Sequence, residues 1–132
     1  MLRGLSTVSF YAEDHAAAKK WYTELLGFPP YYDRPGYFEF RLGDYQHELG
    51  FIDARYAAHP TGSPAGEIVF WHVDDLEATL AWLLTAGATQ HEGITAHGEG
   101  FVTASVVDPF GNILGIMYNA HYLEMLSRSA SS

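Results

Sequence analysis

Two stretches of the chain share one layout: residues 5–27, LSTVSFYAEDHAAAKKWYTELLG, and residues 67–87, EIVFWHVDDLEATLAWLLTAG. When Asp14 is aligned with Asp75, Trp21 falls on Trp82. Alternating apolar residues before each aspartate predict a β-strand, and apolar residues at helical spacing after it predict an amphipathic helix. A glycine ends each pattern. This internal repeat predicts a fold built from two similar modules.

The predicted helices carry recognisable end signals. Asp14 is a predicted N-cap for the first helix, and Gly27 is its predicted left-handed stop. In the second repeat, Asp74 and Glu77 have the spacing of a capping box, and Gly87 closes the helix. Four leucines form the predicted apolar face of this second helix: Leu76, Leu80, Leu83 and Leu84.

Short β-prone runs follow each helix and are separated by turn residues, so each module is predicted to be β-α-β-β-β. The predicted strands are residues 28–34, 37–42 and 46–52, then 89–92, 101–107 and 113–118. We predict an α+β fold in which the two modules form curled mixed sheets around a cavity. It would be one domain over residues 1–132, with module one at 1–53, a linker at 54–66, module two at 67–118 and a tail of one or two helical turns at 119–132.

Composition excludes several classes of function. The 132 residues contain 16 acidic and 7 basic side chains, for a net charge of −9, which argues against nucleic acid as a partner. The absence of cysteine excludes disulfides, cysteine-zinc sites and thiol nucleophiles. No apolar run approaches the roughly 20 residues that span a bilayer, and no signal peptide is apparent. We expect a cytoplasmic protein without a membrane partner.

Strand alternation predicts which side chains point away from the helices, on what we call the free face of each sheet. Aromatic residues make up 15 % of the chain, and several of them fall at these free-face positions. These residues are expected to line the cavity: Thr7, Ser9, Tyr11, Tyr37, Glu39, Arg41, Glu48, Gly50, Ile68, Phe70 and His72.

Three motifs resemble the vicinal oxygen chelate superfamily, which includes glyoxalase I, extradiol dioxygenases, fosfomycin resistance enzymes and bleomycin-binding proteins. They are WYTELLGF at residues 21–28, VDDL at 73–76 and DPFGN at 108–112. In the last motif, Asp108 and Asn112 are expected to bond local backbone. The resemblance implies the two-module fold and a homodimer.

The resemblance also implies where metal-using members hold their ion. Carried over one at a time, the four ligand positions are Thr7, Glu48, Ile68 and Gly115. Of these, Glu48 alone is a metal-ligand type. A second alignment, of Leu49-Gly50-Phe51 with Leu114-Gly115-Ile116, puts Gly50 opposite Gly115 instead. We therefore expect no metal and no other cofactor.

The remaining polar groups leave alternatives open. Of the seven histidines, only His72 has the strand parity to share a face with Glu48. Glu48 is either a general base with His72 as its acid/base partner, or it forms a salt bridge to Arg41. His72 could instead bond a backbone carbonyl. Glu39 and Arg41 could neutralise each other.

The predicted function is binding of a small organic ligand in an aromatic, acidic cavity without metal. One form of this hypothesis is sequestration of a bleomycin-like cation, and another is a metal-free isomerase or lyase that uses Glu48. The alternative is a lyase or dioxygenase that depends on a divalent metal. The candidate catalytic residues are Glu48 and His72, and the candidate ligand-binding residues are Thr7, Ser9, Tyr11, Tyr37, Glu39, Arg41, Ile68, Phe70, Gly115 and Met117.

Overall fold

Both repeats fold in the predicted β-α-β-β-β order. The computed structural model describes residue 1 and residues 3–131, and over these residues the fold is α+β, with two open four-stranded mixed sheets. The first repeat gives β1 (Thr7–Ala12), α1 (His15–Leu26), β2 (Tyr32–Arg34), β3 (Tyr37–Leu42) and β4 (His47–Asp53), followed by a 3-10 turn (Ala54–Tyr56). The second gives β5 (Val69–His72), α2 (Leu76–Thr85), β6 (Thr89–Ala96), β7 (Phe101–Val107) and β8 (Ile113–Asn119), followed by α3 (Ala120–Ser131).

The two sheets have the same strand order. Sheet one runs β1-β4-β3-β2 and sheet two runs β5-β8-β7-β6. In each, the first strand pairs in parallel with the last strand of its module, and the other pairs are antiparallel. The chain divides into two compact units, Met1–Ser63 with Phe110–Asn112, and Pro64–Pro109 with Ile113–Ser132. Each unit therefore contains one sheet.

The core of the first unit is an aromatic cluster between α1 and sheet one. Phe51 is fully buried, and its ring centroid lies 4.8 Å from Phe38, 4.4 Å from Tyr22 and 5.7 Å from Phe10. The predicted ends of α1 are confirmed, since the Asp14 side chain accepts a hydrogen bond from the Ala17 amide and Gly27 has a φ of 85°. A left-handed φ of this kind is easily adopted by glycine.

The second unit corrects two predictions for α2. Its N-cap is Asp75, not Asp74, because the Asp75 carboxylate reaches the Ala78 amide at 3.0 Å, as Asp14 does in the first repeat. Leu84 is 38 % exposed and does not belong to the buried face formed by Leu76, Leu80 and Leu83.

The largest differences in length from the predictions are in β2, β6 and the C-terminal tail. Strand β2 is only Tyr32–Arg34, because the preceding Pro29 and Pro30 lack the amide hydrogens that a ladder needs. Strand β6 continues to Ala96. The tail forms the twelve-residue helix α3, whose first turn is capped by the Asn119 side chain through the Tyr122 amide.

The DPFGN segment makes a long-range contact. The Asn112 side chain donates to the Tyr11 carbonyl at 2.9 Å and accepts from the Tyr11 amide at 3.4 Å. Asn112 thus bonds the backbone of a distant strand, a contact that the local motif did not predict. In residue 1 and residues 3–131, no helix has the length and apolar character needed to cross a bilayer.

Candidate functional site

One row of side chains crosses the free face of sheet one. Glu48 is in register with Thr7 on one side and with Arg41 on the other. The Thr7 hydroxyl donates to Glu48 Oε1 at 2.6 Å, and the nearest Arg41 nitrogen lies 4.0 Å from Glu48 Oε2. The predicted proximity of Glu48 to Arg41 is therefore found, but as a long ion pair.

Tyr31 covers the cationic end of this row. The Arg41 guanidinium carbon lies 3.7 Å from the Tyr31 ring centroid, a cation–π distance, and Tyr31 itself is 68 % exposed. Arg41 Nε is buried and has no hydrogen-bond partner among the described residues. A buried, unpaired donor on a charged group is costly, so this atom is the least satisfied polar group of the row.

A second row lies one step along the same face. Gly50 pairs with Ser9 on one side and with Glu39 on the other. The Tyr37 ring lies over Gly50, where a methyl group would come within 2.7 Å of its carbon atoms. The Tyr37 hydroxyl donates to Glu39 Oε1 at 2.7 Å. The bonded partner of Glu39 in this row is therefore Tyr37, whereas the sequence had left a pairing with Arg41 open.

The Tyr37 hydroxyl is held in its protonated form. Burial, reinforced by the hydrogen bond to Glu39, raises the pKa of Tyr37 well above the usual value for tyrosine. Because the folded state keeps this proton longer than the unfolded chain does, the associated stability is complete below about pH 10 and is lost as the pH rises further. Alkali should therefore destabilise the native protein partly through Tyr37.

We expect Tyr37→Phe to lose less of its unfolding free energy than the wild type between about pH 9 and about pH 11. Denaturant unfolding followed by circular dichroism measures this. Tyr45→Phe, at an exposed tyrosine in the β3–β4 turn, is the matched control and should behave as the wild type does. Equal pH dependence in all three proteins would contradict the assignment.

Sheet two repeats the ring-over-glycine arrangement. Phe70 is in register with Gly115, and a methyl group at Gly115 would come within 2.6 Å of the Phe70 ring. Val69 pairs with Leu114 as Val8 pairs with Leu49. The registers therefore match Gly115 with Gly50, the second of the two alignments considered above, and match Glu48 with the buried Ile113.

His72 is engaged at both ring nitrogens. Its Nδ1 accepts from the Asn119 amide at 3.1 Å, so Nε2 carries the hydrogen that faces Asp74 at 3.3 Å. The ring stacks on Tyr122 of α3 at 4.7 Å, and the side chain is only 8 % exposed. The backbone partner is an amide, not the expected carbonyl. This geometry favours a structural role that fixes the start of α3, and an acid/base pair with Glu48 stays a prediction.

Two histidines that the parity argument set aside also reach the free face of sheet two. His91 Nδ1 lies 3.0 Å from the Ser105 hydroxyl, and His97 Nε2 lies 2.7 Å from the Thr103 hydroxyl. Ser105 is in register with Gly115. The register of β6 shifts between Gln90 and Glu92, as in a β-bulge, and such a shift reverses the parity of the strand.

The other candidate residues occupy separate places. Ser9 lies beside Gly50, and the Tyr11 ring meets His59 at 5.2 Å. Ile68 immediately precedes β5. Met117 pairs with Thr103, and its sulfur accepts from the Asn119 side chain at 3.6 Å. The structure therefore joins Thr7, Glu48 and Arg41, with Tyr37 and Glu39 beside them.

The residues present do not fit a divalent metal ion. Within the described residues, no group of three or more His, Asp or Glu side chains could hold one. Glu48, the carboxylate at an implied ligand position, already accepts from Thr7 and faces the positive charge of Arg41. A catalytic ion needs several anionic or imidazole ligands together, and this row offers one carboxylate.

A groove of about 920 Å³ lies elsewhere on the first unit, between the start of α1 and the β2–β3 turn. Four of its charged groups form two ion pairs: Lys19 with Asp33 at 3.0 Å, and Arg55 with Asp53 at 2.9 Å. The hydrogen bonds from Arg55 lower the pKa of Asp53. These four charges are therefore balanced within the groove itself.

Comparison with known proteins supports the same fold. A glyoxalase-related enzyme from Fulvimarina pelagi is 19 % identical, with a TM-score of 0.69 and coverage of 89 % of each chain. A lactoylglutathione lyase from Agrobacterium tumefaciens is 17 % identical, with a TM-score of 0.67 and coverage of 88 % of this chain and 93 % of that one. A superfamily member from Sphaerobacter thermophilus is 16 % identical, with a TM-score of 0.72 and coverage of 88 % and 97 %. Identities this low show the fold alone.

The family comparison covers most of the chain. No curated protein matches the sequence. The model of the Glyoxalase/Bleomycin resistance protein/Dioxygenase superfamily matches residues 4–116, which include both repeats and all three motifs. The chain therefore belongs to the Glyoxalase/Bleomycin resistance protein/Dioxygenase superfamily.

Proposed function

We propose that this protein binds a small organic ligand on the free face of sheet one and does so without a metal ion. The observation that carries the proposal is the bonding of Glu48. Its carboxylate is held by the Thr7 hydroxyl and faces Arg41, so it is arranged for hydrogen bonding and not for metal coordination. The metal-dependent alternative gains no support from the described side chains.

The face has the character of a small-molecule site. Tyr31 and Tyr32 expose 68 % and 42 % of their surface and offer planar apolar area next to a few polar groups. Glu39 and Glu48 outweigh Arg41 by one negative charge. A planar ligand with hydrogen-bond donors suits this combination, because aromatic rings stack on its plane and carboxylates accept from its donors.

Three probes of one shape test the proposal: benzamidine, benzamide and benzoate, which carry positive, zero and negative charge. Nuclear magnetic resonance titration in the presence of EDTA should show shifts at residues of β3 and β4, strongest with benzamidine. Glu48→Gln should weaken benzamidine binding by about tenfold, the value of one charge-assisted hydrogen bond. Glu24→Gln, the same change at an exposed position of α1, is the control and should leave binding unchanged.

Metal titration tests the alternative, in which the protein depends on a divalent metal ion. Nickel or zinc ions added to the purified protein should find no tight site with one ion per chain. Tight binding of one ion that disappears in Glu48→Gln would overturn the proposal. So would a failure of all three probes to shift any resonance of sheet one.

A further inference from the structure

We infer that the ligand of sheet one is a zwitterion of the α-amino acid type, whose carboxylate binds Arg41 and whose ammonium binds Glu48. The inference rests on the proposed function and names the chemical class of its ligand. Two side chains of opposite charge, in register on β3 and β4, carry it.

The guanidinium of Arg41 has one unpaired donor. The buried Nε of this guanidinium bonds to nothing among the described residues. A carboxylate is the group that a guanidinium matches best, because two oxygens accept in parallel from Nε and a terminal nitrogen. A ligand carboxylate would therefore satisfy a donor that the folded chain leaves without an acceptor.

One carboxylate oxygen of Glu48 is available to a ligand. Thr7 bonds Oε1, whereas Oε2 lies 4.0 Å from Arg41, beyond hydrogen-bond length. Oε2 can thus accept from a ligand donor placed beside the guanidinium. An α-amino acid carries its carboxylate and ammonium on one carbon atom, so both groups can reach neighbouring positions of one row.

Charge balance selects the zwitterion over ligands with a single charge. A lone carboxylate would bind Arg41 but meet the negative fields of Glu48 and Glu39. A lone amine would bind Glu48 and leave Arg41 Nε unpaired. A site that recognises both charges binds a lone carboxylate or a lone amine less well, since each of these ligands leaves one charged side chain of the site without a partner.

In this proposal the exposed Tyr31 side chain turns when the ligand binds. Its ring lies 3.7 Å from the guanidinium carbon, so it covers one face of Arg41. The Tyr31 amide is bonded to the Glu39 carbonyl at 2.8 Å, which holds the backbone in place. Rotation of the exposed side chain alone uncovers Arg41, and the freed ring can then stack on a planar ligand side chain.

The test uses three molecules with one apolar part: L-phenylalanine, phenethylamine and 3-phenylpropionate. Isothermal titration calorimetry should show that phenylalanine binds at least about tenfold more tightly than either analogue. In Arg41→Gln, phenylalanine should bind no better than phenethylamine. In Glu48→Gln, it should bind no better than 3-phenylpropionate.

The controls separate recognition from folding. Arg128→Gln removes an exposed arginine of α3 and should leave all three affinities unchanged. Arg41→Lys keeps the charge but loses the paired donors, so it should keep the melting temperature and still lose affinity for phenylalanine.

The failures are distinguishable. If phenethylamine or 3-phenylpropionate binds as tightly as phenylalanine, the zwitterion inference is overturned while ligand binding at sheet one stands. If phenylalanine and its two analogues do not bind but the benzene probes shift resonances of sheet one, the zwitterion inference alone fails. If the three benzene probes also leave sheet one unperturbed, the proposed function fails as well.

Discussion

Replacing Phe51 with alanine should destabilise the protein by about 4 kcal/mol, because it removes a fully buried ring. Phe51 is fully buried and stacks on Phe38, with interplanar angle 15° and centroid distance 4.8 Å. Its ring also meets Phe40 at 6.2 Å. The truncation removes a large apolar surface and leaves a cavity lined by aromatic rings, which cannot collapse without losing their mutual contacts.

The measurement is the unfolding free energy from denaturant titration. Phe51→Leu keeps most of the volume and should cost clearly less than Phe51→Ala. Phe101→Ala, at a phenylalanine that is exposed on β7, is the matched control and should cost under about 1 kcal/mol. A Phe51→Ala loss no larger than that of Phe101→Ala would show that this cluster is not the main source of stability in the first unit.

The same residue shows why so much of the fold could be predicted from the sequence. Phe51 and Glu48 point to opposite faces of β4, and the alternation of apolar and polar residues along the strand indicates this directly. Strand β3 begins and ends where the pattern predicts, at Tyr37 and Leu42. Where a strand is regular and one face is buried, the sequence specifies both the register and the side on which each residue lies.

The sequence-based predictions are wrong where the strand or helix pattern becomes irregular. His91 reaches the free face because β6 shifts register near it, and a shift of this kind depends on the neighbouring strand as much as on local sequence. Helix α3 extends to Ser131 although its serines are weak helix formers, and the stack of Tyr122 on His72 supplies a tertiary contact that no local rule contains.

The candidate site likewise contains both features that the sequence predicts and features that it does not. Parity predicted that Glu48 and Arg41 share a face, because both lie on regular strands. Tyr31 lies in the segment before β2, so its stacking on Arg41 has no periodic signal. The unpaired Nε of Arg41 likewise appears only in a three-dimensional description.

The second large effect is expected at Gly115. Gly115→Ala should destabilise the protein by about 3 kcal/mol, at the upper end for overpacking, whereas Gly50→Ala should cost about 1 kcal/mol. A methyl group at Gly115 would lie 2.6 Å from the Phe70 ring and 2.7 Å from the Val69 carbonyl oxygen. The carbonyl belongs to the paired strand and cannot retreat without breaking the ladder. At Gly50 the obstacle is the Tyr37 side chain, which can rotate toward solvent.

The comparison of the two variants is therefore the informative measurement. In thermal and denaturant unfolding, Gly115→Ala should be much less stable than Gly50→Ala, although alanine is intrinsically more favourable than glycine within a strand. Gly50→Ala should instead act on the site, because a displaced Tyr37 no longer donates to Glu39, and benzamidine binding should change while the fold persists. Gly4→Ala, where the added methyl group meets open space, is the control. Equal losses at Gly50 and Gly115 would mean that the two rings are equally fixed, and that the Tyr37 ring is part of the packed sheet and not a movable part of the ligand-binding face.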